Sequence, residues 1–231
     1  MKGTWIDIPT VEKQGFTGYL SLPPTGKGPG IVIAQEIWGV NGHIRALADQ
    51  YALDGYVVLA PDVFWRQEKQ VDLDYDETGS TRALALRQAV DDAQAGADLT
   101  AAAAHLKTLP EVDGGVAAIG YCLGGQLAYR AAAAGEVDAA VAYYGGGIQD
   151  SLELAADISQ PILFHYAELD KMIPPDAVAS VKAAFSDKSE AQFFDYPGVN
   201  HGFNCWGRPA YDQKSAALAH GRTLTFLAES L

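Results

Sequence analysis

Cysteine is almost missing from this chain. Only Cys122 and Cys205 occur among 231 residues, too few for a disulfide scaffold and consistent with a reducing compartment. A bond between the two would consume the one thiol that the rest of the sequence marks as reactive. No apolar run approaches the roughly 18 consecutive residues a membrane span needs. Met1-Lys2-Gly3-Thr4-Trp5 leads straight into alternating sequence with no apolar signal core, so the expectation is a soluble, unexported, cytoplasmic protein. Basic residues are scarce as well: 16 Lys and Arg stand against 29 Asp and Glu, a net charge of −13 with no basic cluster. Nucleic acid and anionic membrane surfaces are repelled on average, which leaves small molecules as the expected ligands. No pair of histidines or cysteines has a recognisable ligand spacing, so neither metal nor cofactor is expected. There is no internal repeat. The lack of a long exposed apolar stripe points to a monomer or small homo-oligomer.

What the chain does contain is a strand–helix alternation. Thr4 to Ile8 and Gly15 to Ser21 alternate polar and apolar residues around Glu12-Lys13-Gln14 and read as an antiparallel edge hairpin. Ile31 to Ala34, Tyr56 to Ala60, Gly115 to Ile119, Ala139 to Tyr144 and Pro161 to Tyr166 are short continuous apolar runs, the pattern of strands buried on both faces. Gln192 to Tyr196 is the last strand expected. Helical stretches lie between: Ile44 to Leu53, one long alanine-rich helix from Thr81 to Leu109, Gly125 to Ala134, Pro174 to Phe185, and Pro209 to Ala228. The order predicts one α/β domain over residues 1–231, with a mostly parallel central sheet and helices on both faces. The acidic stretch Asp72, Asp74, Asp76 and Glu77 has no apolar period and reads as a solvated excursion or a cap over a site.

Gly120-Tyr121-Cys122-Leu123-Gly124-Gly125 has the form of a nucleophile elbow. Glycines at 120 and 124 permit a sharp strand-to-helix turn that lifts residue 122 above the sheet, and the following helix N-terminus favours negative charge on the sulfur. The rival reading makes Cys122 a small buried hydrophobe among ordinary loop glycines. Context favours the elbow, because Val116 to Ile119 reads as a central strand and the residues after 125 read as a helix.

A cysteine nucleophile needs a base, and the base an orienting partner. Asp170 follows the Pro161 to Tyr166 strand, and His201 follows the last strand. Glu168 competes with Asp170, although position favours Asp170. Nucleophile, acid, histidine is the chain order of α/β-hydrolases, and each residue sits past the carboxyl end of its own strand. His165 falls within a strand and reads as a hydrogen-bonded core residue; His105 and His220 lie on helices and His43 opens one.

Glu36, at the end of the strand Ile31 to Ala34, would face the same sheet edge as Cys122. A carboxylate beside a thiol either opposes its ionisation or accepts its proton, so Glu36 could switch the nucleophile. The backbone N–H groups of Ile37 and Leu123 are expected to form an oxyanion hole.

Together these segments resemble the dienelactone hydrolase (carboxymethylenebutenolidase) family of α/β-hydrolases. The resemblance spans nearly the whole chain and rests on Ala34 to Asn41, Ala60-Pro61-Asp62, Gly120 to Gly125, Tyr143-Tyr144-Gly145 and His201-Gly202-Phe203, in matching order. It implies an α/β-hydrolase fold and a Cys122–His201–Asp170 triad that opens a cyclic ester through a thioester intermediate. It also implies that Glu36 engages the resting cysteine, and that Trp38, Tyr144 and Phe203 stand near the substrate. The family's carboxylate-binding arginines are not matched. One of their places is taken by Cys205, with Arg208 three residues further on; the other falls on Ser80, with Arg82 nearby. Arg82 and Cys205 are therefore expected at the substrate site in altered roles. The expected activity is hydrolysis of a lactone or small carboxylic ester. Two other readings stand beside it: a promiscuous hydrolase of aryl esters or phosphotriesters with the same triad, and a non-catalytic thiol redox or ligand-binding protein on this fold.

Overall fold

A computed structural model describes residues 2–9 and 15–231. The turn Glu12-Lys13-Gln14 lies outside the described residues. Eight strands form one sheet in the order β1-β2-β4-β3-β5-β6-β7-β8. β1 (Thr4–Ile8) and β2 (Phe16–Ser21) pair antiparallel, and β2 runs antiparallel to β4 (Val57–Pro61). From there β3 (Gly28–Ala34), β5 (Val112–Tyr121), β6 (Ala139–Tyr143), β7 (Ile162–Ala167) and β8 (Ala191–Tyr196) are all parallel neighbours. The fold is an α/β-hydrolase fold with an N-terminal antiparallel hairpin at one edge.

Strand alternation sends neighbouring side chains to opposite faces. The row Tyr121, Tyr143 and His165, in register across β5, β6 and β7, faces α1 (Gly42–Leu53) and α6 (Gln213–Ser230). Tyr51 of α1 meets the Tyr121 hydroxyl at 3.2 Å, and Thr223 of α6 meets Tyr143 at 2.7 Å. His165 is wholly buried there, bonded to Tyr196 (2.8 Å) and Thr223 (3.0 Å). The adjacent row, Gly120, Ala142 and Phe164, faces α4 (Leu123–Ala133) and α5 (Pro175–Ala184), where Phe164 packs on Phe185 with ring centroids 5.2 Å apart. Helices thus cover both faces, which is why the central strands are apolar without interruption.

The alanine-rich stretch after residue 77 is two helices rather than one. α2 (Glu77–Ala89) ends at Val90, and α3 (Asp92–Lys107) starts afresh because the Asp91 carboxylate accepts the Gln94 N–H at 2.9 Å. Such a cap contributes about 1 kcal/mol, enough to fix a boundary where helix propensity alone would continue. The acidic stretch before α2 is tied down. Gly39 and Asp72 form a β-bridge, the Leu73 N–H donates to Trp38 (3.1 Å) and Asn41 Nδ2 donates to the Leu73 carbonyl (3.1 Å). It therefore carries Tyr75 over the sheet edge as a cap. Among the described residues no helix is long and apolar enough to cross a membrane.

Candidate active site

The end of β5 turns into α4 within a single residue. Cys122 takes that turn at φ 58°, ψ −115°, a conformation rare for a residue with a side chain. The strain is locked in by the glycines. A Cβ on Gly120 would lie 1.8 Å from the Gly124 carbonyl oxygen, and one on Gly124 would lie 2.1 Å from the Ala34 carbonyl oxygen. Without those side chains α4 packs directly on β3 and β5, and the thiol stands at the carboxyl edge of the sheet, 7% exposed.

Asp170 follows β7 and His201 follows β8. Their contact is short: His201 Nδ1 lies 2.7 Å from Asp170 Oδ2, in buried surroundings. Asp170 Oδ1 is held in turn by the N–H groups of Met172 (2.8 Å) and Ile173 (3.3 Å), which fixes the carboxylate plane. Glu168, the competing acid, instead accepts the Gly198 N–H at 2.8 Å. The other imidazole nitrogen, Nε2, is buried and makes no well-aligned hydrogen bond among the described residues. Burial alone would lower the His201 pKa, but the charge of an ionised Cys122 and the bond to Asp170 overcome it and push the ring up to about 10. The Tyr144 ring packs 4.9 Å from that of His201, with its own hydroxyl buried and without a hydrogen-bond partner among the described residues.

Glu36 is 1% exposed. Its Oε1 accepts from Arg208 Nη1 (3.1 Å) and its Oε2 from the Tyr75 hydroxyl (3.2 Å). The Arg208 guanidinium also lies 4.8 Å from the centre of the Trp38 ring; burial opposes its charge, but the nearby charges of Glu36 and Cys122 outweigh that and raise its pKa.

A cavity of about 460 Å³ opens over these groups, lined by Cys122, His201, Ile37, Leu123, Trp38 and Arg208, with Ser80, Leu84, Arg87 and Met172 toward its rim. Leu123 is the first residue of α4, so its N–H has no partner within the helix. The lining is largely apolar. Its two arginines are both engaged by carboxylates, Arg208 by Glu36 and Arg87 by Asp92 (2.8 and 3.0 Å).

Not every expected substrate residue lies in that lining. Arg82 is exposed and pairs with Glu68. Phe203 and Cys205 are wholly buried, Phe203 against Tyr144 and Tyr196. Arg208, three residues beyond Cys205, lines the cavity. Successive turns, with Cys205 N–H bonded to Gly202 O (2.9 Å) and Arg208 N–H to Cys205 O (3.0 Å), fold it back so closely that a Cβ on Gly202 would lie 2.2 Å from its Nη1. Arg87, Leu84 and Met172 carried no sequence signal of their own.

The structure also assembles a group that no sequence spacing reveals. Glu36, His43 and Cys205 each place one possible ligand atom within 4.8 Å of the others. Burial lowers His43 to about 4 despite the pull of Glu36, and burial, with Glu36, pushes the Cys205 thiol up to about 12.

Residues 16–231 match the model of the "Dienelactone hydrolase family". A carboxymethylenebutenolidase of Pseudomonas sp. (strain P51) is 36% identical over 213 residues, 92% of this chain and 89% of that protein. Carboxymethylenebutenolidase 1 of Cupriavidus pinatubonensis is 34% identical over 224 residues, 96% and 95% of the two chains. A solved structure from Klebsiella pneumoniae, assigned by name to the dienelactone hydrolases, superposes with a TM-score of 0.86 at 29% identity and 98% coverage of both chains. The dienelactone hydrolase-like promiscuous phosphotriesterase P91, from metagenomic libraries, shares the fold at TM-score 0.80 and 24% identity, covering 100% of this chain and 99% of its own.

Proposed function

The chain belongs to the dienelactone hydrolase family, and from that premise we propose that it hydrolyses a lactone or small carboxylic ester through an acyl-cysteine. The observation that carries the reading is the 2.7 Å His201–Asp170 contact, with His201 lining the same cavity as a cysteine raised on a strained turn. Cys122 Sγ, its proton taken by His201, attacks the carbonyl carbon. The oxygen that becomes negative accepts from the N–H groups of Ile37 and Leu123. Collapse breaks the carbon–oxygen bond, the departing alkoxide takes the proton from His201, and a thioester remains. Water then attacks the thioester while giving its proton to His201, and the acid leaves with regeneration of the thiol. Asp170 holds the imidazole in the tautomer this requires. Glu36 tunes the thiol through Arg208, the cation both groups share.

The substrate class follows from the lining. Ile37, Trp38, Leu84 and Met172 offer an apolar approach, and both arginines are already neutralised by carboxylates. This favours an uncharged lactone or ester over one that must be clamped by its own carboxylate. The same lining suits an aryl ester or an uncharged phosphotriester as a second reading. Comparing kcat/KM on cis-dienelactone, uncharged lactones, chromogenic esters and phosphotriesters separates these. Intact-mass analysis after acid quench should find the substrate's acyl group on wild-type protein and none on Cys122→Ala, which should be folded and inactive. Near-full ester turnover by Cys122→Ala would overturn the mechanism.

A further inference from the structure

We infer that Glu36, His43 and Cys205 form a binding site for one thiophilic divalent cation of the zinc class, beside the hydrolytic cavity. One ligand atom from each side chain lies within 4.8 Å of the other two, and all three residues are buried. His43 supplies the independent sign of a ligand. It is 4% exposed, yet among the described residues neither ring nitrogen has a hydrogen-bond partner. A buried polar atom left unpaired is costly, so an imidazole orphaned on both sides is unfavourable unless something else occupies the space beside it.

The donor set selects the ion. Sulfur, imidazole nitrogen and a single carboxylate oxygen suit zinc and its tetrahedral relatives, whereas calcium and magnesium take mostly oxygen ligands. At bond lengths of about 2.0–2.3 Å, tetrahedral ligands stand about 3.3–3.8 Å apart, so side-chain shifts of about an ångström close the present triangle. Three protein ligands leave a fourth position for water. On binding, Cys205 releases its thiol proton to solvent, and its thiolate adds negative charge beside the Glu36 carboxylate that Arg208 already shares. Glu36 is also the residue held by Arg208 and Tyr75, so the cation competes with both for one carboxylate. Trp206, 48% exposed, stands edge-on to the His43 ring with centroids 4.2 Å apart.

The test uses Co²⁺ as an absorbing probe on reduced, chelator-treated full-length protein under anaerobic conditions. The expected result is binding of one equivalent, with a thiolate-to-cobalt charge-transfer band that Zn²⁺ displaces stoichiometrically. Cys122→Ser should keep the band and Cys205→Ser should lose it. His43→Phe should weaken binding by at least ~10-fold, and it decides the matter if Cys205→Ser fails to fold. A band absent from wild type would overturn the site. So would one that survives Cys205→Ser or His43→Phe at full strength, or one lost in Cys122→Ser. The readout is absorbance, so it stands or falls separately from ester turnover.

Discussion

Arg208 and Glu36, 172 residues apart in sequence, meet at 3.1 Å in the wall of the cavity, the carboxylate buried and the guanidinium partly exposed. Removing one partner of such a pair leaves the other charged and desolvated, a loss of about 3–5 kcal/mol. Arg208→Met should therefore lower stability by about 3 kcal/mol in urea denaturation. In a Glu36→Gln background the same substitution should cost at least ~1 kcal/mol less, because no buried charge is then stranded. Strictly additive losses would show that the two side chains do not depend on each other.

The elbow makes a steeper demand. Gly120→Ala and Gly124→Ala would each drive a Cβ to about 2 Å or less from a carbonyl oxygen that belongs to packed backbone and cannot swing aside. Each variant should lose more than ~3 kcal/mol or fail to fold, whereas Gly135→Ala meets no atom within 4 Å and should lose only what its left-handed φ of 74° demands. Comparable stability for all three would mean that the strand–helix contact is looser than described.

Asp170 does two jobs with its two oxygens, and a graded pair of substitutions separates them. Asn keeps an oxygen for the N–H groups of Met172 and Ile173 but cannot anchor a positive imidazole, so Asp170→Asn should remain folded with kcat down by ~10²–10⁴-fold. Asp170→Ala should add a loss of thermal stability, since those N–H groups are then unpaired. An Asn variant with unchanged kcat would remove Asp170 from the proposed mechanism.

Much of this arrangement is written locally, and the part that is not shows why. Uninterrupted apolar runs give β3 to β7 because a strand covered on both faces has no polar side to keep, and the elbow glycines announce a turn that only they can make. Asp91 hid the break between α2 and α3 inside an alanine-rich stretch, although an aspartate three residues before the Gln94 N–H it accepts is a capping signal that propensity masks. Arg208 and His43 are different. Arg208 reaches the cavity only because consecutive turns after His201 reverse the chain, and His43 matters only through its neighbours Glu36 and Cys205, which two other segments deliver. Local pattern carries no information about such meetings.

The ionisation of His201 provides the last test. Burial pulls its pKa down, and two influences pull it up: the charge of an ionised Cys122 and the bond to Asp170. Their net effect is a value of about 10, against an ordinary value near ~6.5. The imidazolium therefore persists through neutral pH. Two consequences follow from the sign. The departing alkoxide needs a proton from the imidazolium, so kcat/KM should hold through neutral pH and fall as the pH rises through about 10. In Cys122→Ala the sulfur's contribution vanishes while burial and Asp170 remain, so the His201 midpoint, followed by the NMR shift of its ring protons, should move down. An unchanged midpoint in that variant would mean that the ring does not feel the sulfur, and a histidine insensitive to Cys122 could not take its proton.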